Sequence, residues 1–302
     1  MDRRIFLQNT AGTLGGLAAA NALSPLLNAT QAAQARPDLA VVKGESADKI
    51  VRAAVDALGG IRRFISKDDV VVIKPNIGWD REPEYAANTN PEVVSTLIKM
   101  CLEVGAKKVK VFDRTCDNAQ RCYVQSGIEA AAKAAGAEVS HFDARRVREV
   151  PIPNGVAIKT WPINIDLLEA DKVINVPIAK HHGIGKLTMS LKNWMGVMGD
   201  NRGRIHQNLD VTLADLATVI KPDLTVLDAI RILVAHGPKG GNLDDVKRLD
   251  TIIAGVDQVA IDSYGTTLFG MKGEDLGAVR EAAKRGLGQM DLAKLNIRKI
   301  EV

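Results

Sequence analysis

Short apolar runs recur along this chain, each followed by a longer stretch of helical periodicity, and that alternation admits few folds. "LAVVKG" (39 to 44) reads as a strand, "ADKIVRAAVDALGGIRRFI" (47 to 65) as a helix broken near Gly59, and "DVVVIKPN" (69 to 76) as a buried strand stopped by Pro75. Pro91 opens a helix to Val104, "KKVKVFD" is a strand, 120 to 135 is an Ala-rich helix ending at Gly136, and "EVSHF" is a strand. The rhythm resumes with "DKVINVP", a helix at 209 to 220, "DLTVLDAI", "LDTIIAG", helices at 257 to 269 and 275 to 285, and a closing strand "IRKIEV". The expected fold is α/β, a mostly parallel sheet flanked by helices, with right-handed crossovers. Residues 148 to 165 depart from it: two short strands around Asn154-Gly155, a pair that favours a tight turn, predict an antiparallel excursion on the sheet edge. Aromatics are only 4%, so Ala, Val, Ile and Leu must fill the core, a palette suited to buried parallel strands.

The first 35 residues stand apart. Arg3 and Arg4 precede Phe6 and Leu7, a weakly apolar Gly/Ala-rich segment runs to Leu27, and "AQA" at 33 to 35 offers small residues for cleavage. This reads as a twin-arginine signal peptide over 1–35, with residues 36–302 as a single α/β domain. The expected partner during export is the twin-arginine translocase, and the expected destination is the periplasm, with membrane retention through an uncleaved signal as the alternative. Gly12, Gly15, Gly16 and Pro25 argue against a stable membrane-spanning helix there.

The formal net charge is +4, and setting aside Arg3, Arg4 and Asp2 changes it little. So mild a balance, with no recognised nucleic-acid motif, argues against a nucleic-acid partner. Cys101, Cys116 and Cys122 are too few and wrongly spaced for an iron–sulfur cluster or a structural zinc site, so no iron–sulfur cluster is expected. Cys101 lies in a helical pattern and reads as a small buried apolar residue, whereas Cys116 and Cys122 are open to pairing across a short loop.

In an open α/β sheet, ligands bind beyond the carboxyl ends of the strands, where loops converge. Five such ends carry polar side chains: Lys74 and Asn76, Asp113, Lys180 with His181 and His182, Asp228, and Asp257. Asp257 reads as the N-cap of the next helix, Asp113 as either cap or site, and Asp228 as a site residue because a Gly-rich loop follows it. Pro75 fixes the direction in which Lys74 and Asn76 leave their strand. The stretch "AKHHGIGKLTMSLKNWMGVMGDNRGR" (179 to 204) concentrates the most charge. There Gly183 and Gly185 supply backbone freedom between Lys180 and Lys186, a combination suited to a phosphate or carboxylate. Leu187, Leu191, Trp194 and Met195 recur at helical spacing and predict a helix with a core-facing stripe, leaving Lys192 and Asn193 on its polar side. Arg202 and His206 follow in a loop. His181, His182 and His206 with Asp113 are enough to ligate a metal, but the histidines have no short metal-binding spacing and stand among cations, which oppose a divalent ion, so metal and cofactor stay open. The histidines suit acid/base work instead, with His181 and His206 as proton carriers and Lys192 as charge stabiliser.

Taken together, "VVVIKPNIG", "AKHHGIGKLTMSLKNWMG", "NRGRIHQNL", "KPDLTVLDAI", "GPKGGN" and "GVDQVAIDSYG" resemble the family named domain of unknown function 362 (DUF362), from residue 40 to 302. Many members carry a ferredoxin-like four-cysteine module that this chain lacks. The strand, His, Gly-rich loop, Lys arrangement is also loosely similar to the nickel-pincer lactate racemase family, whose histidines and lysines handle a carboxylate substrate and a nickel cofactor. The expectation is an exported protein that binds a small anionic substrate or cofactor, with His/Lys proton transfer beside a carboxylate. The rival expectation is a non-catalytic accessory protein for periplasmic redox enzymes, which would need the cations but no acid and base.

Overall fold

The computed structural model describes residues 36–302, so the expected signal peptide lies outside the described residues. The chain begins with β1 (Leu39–Lys43), α1 (Ala47–Ala57), β2 (Val70–Pro75), α2 (Pro91–Glu103) and β3 (Lys108–Val111). It continues through α3 (Ala119–Gln125), α4 (Ile128–Ala134), β4 (Glu138–Val139), the pair β5 (Val147–Pro151) and β6 (Thr160–Asn164), and α5 (Ile165–Leu168). Then come β7 (Lys172–Val176), β8 (Ile178–His182), β9 (Lys186–Thr188), α6 (Ser190–Asn193) and α7 (Leu209–Val219). The last elements are β10 (Leu224–Leu233), β11 (Val246–Gly255), α8 (Gln258–Thr267), α9 (Gly277–Lys284) and β12 (Ile297–Glu301).

The main sheet runs β12-β1-β11-β10-β7-β2-β3-β4, with β8 and β9 attached beside β10. From β10 through β4 every pairing is parallel, and β11 is antiparallel to both of its neighbours. This is the mostly parallel α/β sheet that the sequence predicts. Strand alternation sends side chains to two apolar layers. Val71, Ile73, Ile174, Val176, Leu224 and Val226 pack under α1, α2 and α4, while Val72, Val173 and Leu227 pack under α7, α8 and α9. Both faces are therefore covered, which is why these strands read as continuous apolar runs.

Local chemistry sets the helix ends. Ser46 caps α1 by accepting from Lys49 N, and the chain leaves that helix through Gly59 and Gly60, both at positive φ. Asn90 caps α2 with Pro91 at its first position. Asp257 caps α8 through the amides of Val259 and Ala260, as its sequence position predicts.

Three expectations need correction. The Ala-rich helix is split into α3 and α4 at Gly127, whose φ of 70° breaks the helical path. The β5–β6 pair is a separate two-stranded sheet, not an extension of the main edge, and residues 152 to 159 link its strands in place of a two-residue turn. Buried Asp215 on α7 accepts the backbone N–H groups of Val156, Ala157 and Ile158 at 2.7, 2.7 and 3.0 Å, drawing that link toward the helix and away from a tight turn. Finally, residues 178 to 188 form a β-hairpin, and the helix expected after Lys186 shrinks to the four residues of α6. Its apolar stripe is core all the same: Leu187, Leu191, Trp194 and Met195 are all buried.

Candidate functional site

Register decides which polar side chains meet. On β2, Lys74 shares the face of Val72, and its cross-strand neighbour Asn175 shares the face of Val173, so both emerge under α6. Asp262 on α8 holds α6 there, accepting from Ser190 N at 2.7 Å and Leu191 N at 3.0 Å. Burial pushes the Asp262 carboxyl up to about 6 against those hydrogen bonds. Fully buried Trp194 donates its indole N–H to Gln258 and anchors the turn that follows α6.

The result is a cavity of about 450 Å³ at the carboxyl ends of β2 and β3 and along the hairpin β8–β9. Lys74, Asn76, Asp113, Lys180, His182, Gly183, Lys192, Asn193, Arg202 and His206 all line it, which brings together ten positions singled out from the sequence.

Its floor is saturated with hydrogen bonds. Lys74 Nζ contacts Asp113 Oδ1 at 2.7 Å, Pro75 O at 2.8 Å and Asn193 Oδ1 at 3.0 Å, with both charged residues almost fully buried. Asp113 also accepts from Ile77 N and Arg114 N. Burial lowers the Lys74 ammonium from its ordinary value, and Asp113 opposes that shift. Asn193 completes the frame by donating to Lys74 O and Asn175 Oδ1 while accepting from Asn76 Nδ2 at 3.2 Å. A side chain at Gly196 would collide with Asp113 and Lys74, so the close approach of that turn to the ion pair requires glycine.

The walls differ. Lys180 Nζ donates to Asn76 Oδ1 at 2.9 Å and to Ala87 O, whereas Lys192 Nζ has the Met195 sulfur at 3.4 Å. Arg202 donates to the backbone oxygens of Arg114, Thr115 and Met195, which ties its loop to the one after β3. Among the described residues no carboxylate lies within ion-pair distance of Lys180, Lys192 or Arg202. Burial lowers Lys180 to about 7 and Lys192 to about 8, with neighbouring cations adding to the shift.

Two imidazoles face each other across this wall, with ring centroids 5.8 Å apart and planes 13° from parallel. His182 Nδ1 accepts from Ile184 N at 3.2 Å and Gly185 N at 3.0 Å, so its proton sits on Nε2. Burial, reinforced by Lys192, pushes His182 down to about 3 and keeps it neutral. His206 Nδ1 lies 2.9 Å from Gly203 O and must donate to it, leaving Nε2 bare in the neutral ring. One ring thus offers an N–H and the other a lone pair.

Four expected residues lie elsewhere. His181 follows Lys180 on β8 and precedes His182, so alternation turns it to the other side of the hairpin; there it lines a second cavity and accepts from Gly237 N at 3.1 Å. His182, not His181, is therefore the ring opposite His206. Lys186 takes a left-handed φ of 57°, and its Nζ reaches Asp275 O at 2.9 Å. Gly185 packs near Leu209 beneath the hairpin. Asp228 lies within β10 on the α2 face, together with Val226 and Ile230, and accepts from Asn90 N and Ile230 N. It braces the start of α2, and burial pushes it up to about 6.

Sequence reading missed Asn175, Gly196, Cys116, Trp79 and Thr188. Thr188, paired across the hairpin with Lys180, also lines the cavity; the residue is 4% exposed, and its hydroxyl is buried without a hydrogen-bond partner. Cys116 and Cys122 are both free; Cys116 is exposed, while Cys122 and Cys101 are buried. Among the described residues no three His, Cys, Asp or Glu side chains converge as a metal-ligand set, and no helix is long and apolar enough to cross a membrane.

The model of the domain of unknown function DUF362 matches residues 71–267, which run from Val71 in β2 to the end of α8 and include every residue of the cavity wall named so far. The chain belongs to the DUF362 family. A curated relative, the thylakoid-associated protein sll1697 of Synechocystis, is 26% identical over 220 residues, covering 70% of this chain and 66% of its own length. Among solved structures, the lactate racemase apoprotein of Thermoanaerobacterium thermosaccharolyticum is similar with a TM-score of 0.44 at 12% identity, over 77% of this chain and 57% of its own. A Thermotoga maritima protein reaches the same TM-score at 11% identity, over 74% of this chain and 59% of its own. The DUF362 chain thus spans just under two thirds of the curated relative and less of the two solved chains.

Proposed function

We propose that this DUF362 protein binds a small carboxylate or phosphate in the cavity at its strand ends and moves a proton on the bound molecule. The observation that carries the reading is charge without compensation: Lys180, Lys192 and Arg202 line a cavity whose acidic residue, Asp113, already pairs with Lys74. Cations lowered by burial are stabilised when an anion joins them, and the Thr188 hydroxyl has a hydrogen bond still to make. The bare His206 Nε2 supplies an acceptor for proton transfer beside the bound anionic group, the neutral His182 offers its Nε2–H as a hydrogen-bond donor, and Lys192 stabilises the negative charge that develops. The Arg3-Arg4 leader supports export of the folded chain by the twin-arginine route as part of the same proposal.

The sign of the pH dependence follows from the lysines. Lys180 at about 7 and Lys192 at about 8 are partly neutral in the free protein, so an anion that needs both charges draws protons in as it binds. Affinity should therefore fall as pH rises through 8, approaching about tenfold per pH unit for each lysine that must be recharged. Titration calorimetry with lactate, pyruvate and inorganic phosphate, repeated in buffers of different ionisation enthalpy, measures this uptake directly. Absence of millimolar binding by all three, or binding that strengthens with pH, would overturn the anion reading. Incorporation of solvent deuterium at the carbon beside a bound carboxylate would establish turnover, and its absence with every carboxylate that binds would remove the proton-transfer half.

A further inference from the structure

Cys116 sits on the loop after β3 as an exposed free thiol and lines the cationic cavity. Arg202 Nη2 donates to its sulfur across 3.4 Å, while backbone oxygens of Arg114, Thr115 and Met195 hold the same guanidinium in place. The other two thiols differ sharply. Cys101 and Cys122 are buried, and burial pushes them up to about 12 and about 11, away from the reactive thiolate. One thiol of three thus combines access with a cationic neighbour. The buried Thr188 hydroxyl without a partner is an independent sign that this cavity takes a ligand.

We infer that Cys116 is a modification site for carboxylate-bearing low-molecular-weight disulfides, whose anionic groups dock on the cavity cations and place their S–S bond beside the thiol. This rests on the anion-binding reading of the same cavity. The thiol loses its proton to solvent, and the thiolate attacks one sulfur of the disulfide. A Cys116–sulfur bond forms as the original S–S bond breaks, and the second sulfur leaves as a thiolate. The Cys116 sulfur is oxidised and the departing sulfur reduced, so no other oxidant is required. The adduct lies in the cavity and closes it to other anions, which makes ligand access responsive to the thiol–disulfide balance around the protein.

The test compares two disulfides of opposite charge on the full chain: 5,5′-dithiobis(2-nitrobenzoate), a dianion, and cystamine, a dication. Rates are normalised to those of 2-mercaptoethanol with the same reagents. The expected result is a normalised preference of about tenfold or more for the dianion, reduced by added salt and by Lys192→Met. Peptide mass mapping should place the adduct on Cys116, and Cys116→Ser should take up none under native conditions. A normalised ratio near one, or labelling that favours Cys101 or Cys122, overturns the inference. Calorimetry with phosphate and pyruvate on unlabelled protein separates the two failures. Anion binding without a charge preference sinks this inference alone, whereas loss of both sinks the anion site as well.

Discussion

Lys74 and Lys192 line one cavity, yet the structure treats their charges in opposite ways. Lys74, at the end of β2, is fully buried and held by a carboxylate, a carbonyl and an amide oxygen. Lys192, on the short helix opposite, is half-buried and meets a thioether. A buried charge with a complete set of partners belongs to the scaffold, because removing any partner strands the rest. A charge that burial lowers, and that no carboxylate compensates, is instead available to a ligand. On the proposed reading, the floor fixes geometry and the wall supplies recognition.

That contrast is open to direct attack. The largest effect is expected from Asp113→Asn, which leaves the Lys74 ammonium beside a neutral amide: a loss of about 3–5 kcal/mol of stability, read from urea unfolding followed by tryptophan fluorescence. Unchanged stability in that variant would erase the distinction between floor and wall. Lys192→Met should do the reverse, keeping or raising the unfolding midpoint because a costly partly buried charge is gone, while weakening phosphate or carboxylate binding by about ten- to a hundredfold in calorimetry. Full retention of affinity there would move recognition away from the wall. Thr188→Val is the smallest change. It replaces an unpartnered hydroxyl with a methyl group, so stability should hold or improve slightly while anion affinity drops by a few fold, about 1 kcal/mol. Equal affinity for the valine variant would show that the hydroxyl does not reach the anion.

Much of the site was legible because strand ends are legible. Lys74, Asn76 and Asp113 follow runs of valine and isoleucine that fit a buried strand and little else, and Pro75 marks where the first of those runs stops. The hairpin was harder. Two glycines and two histidines between lysines look like a loop, and nothing within "AKHHGIGKLT" announces that His182 pairs with Lys186 and Lys180 with Thr188. Once that register exists, a two-residue period separates His181 from His182, and the acid/base assignment moves by one position. Asp228 failed for the same reason. The chain does not end its strand there, and parity sends the carboxylate under α2.

Composition and periodicity were enough to dictate a layered α/β molecule with its polar side chains gathered at one rim, since apolar strands of this length can be buried only between helices. They also sufficed to identify the capping residue Asp257, because a cap acts on amides two or three positions away. Which cation is paired, which ring faces the cavity and which hydroxyl lacks a partner were settled only by the packed chain. Those properties depend on contacts between residues more than a hundred positions apart, such as Lys74 with Asn193 and Lys180 with Asn76, and on strand register. No local pattern encodes either.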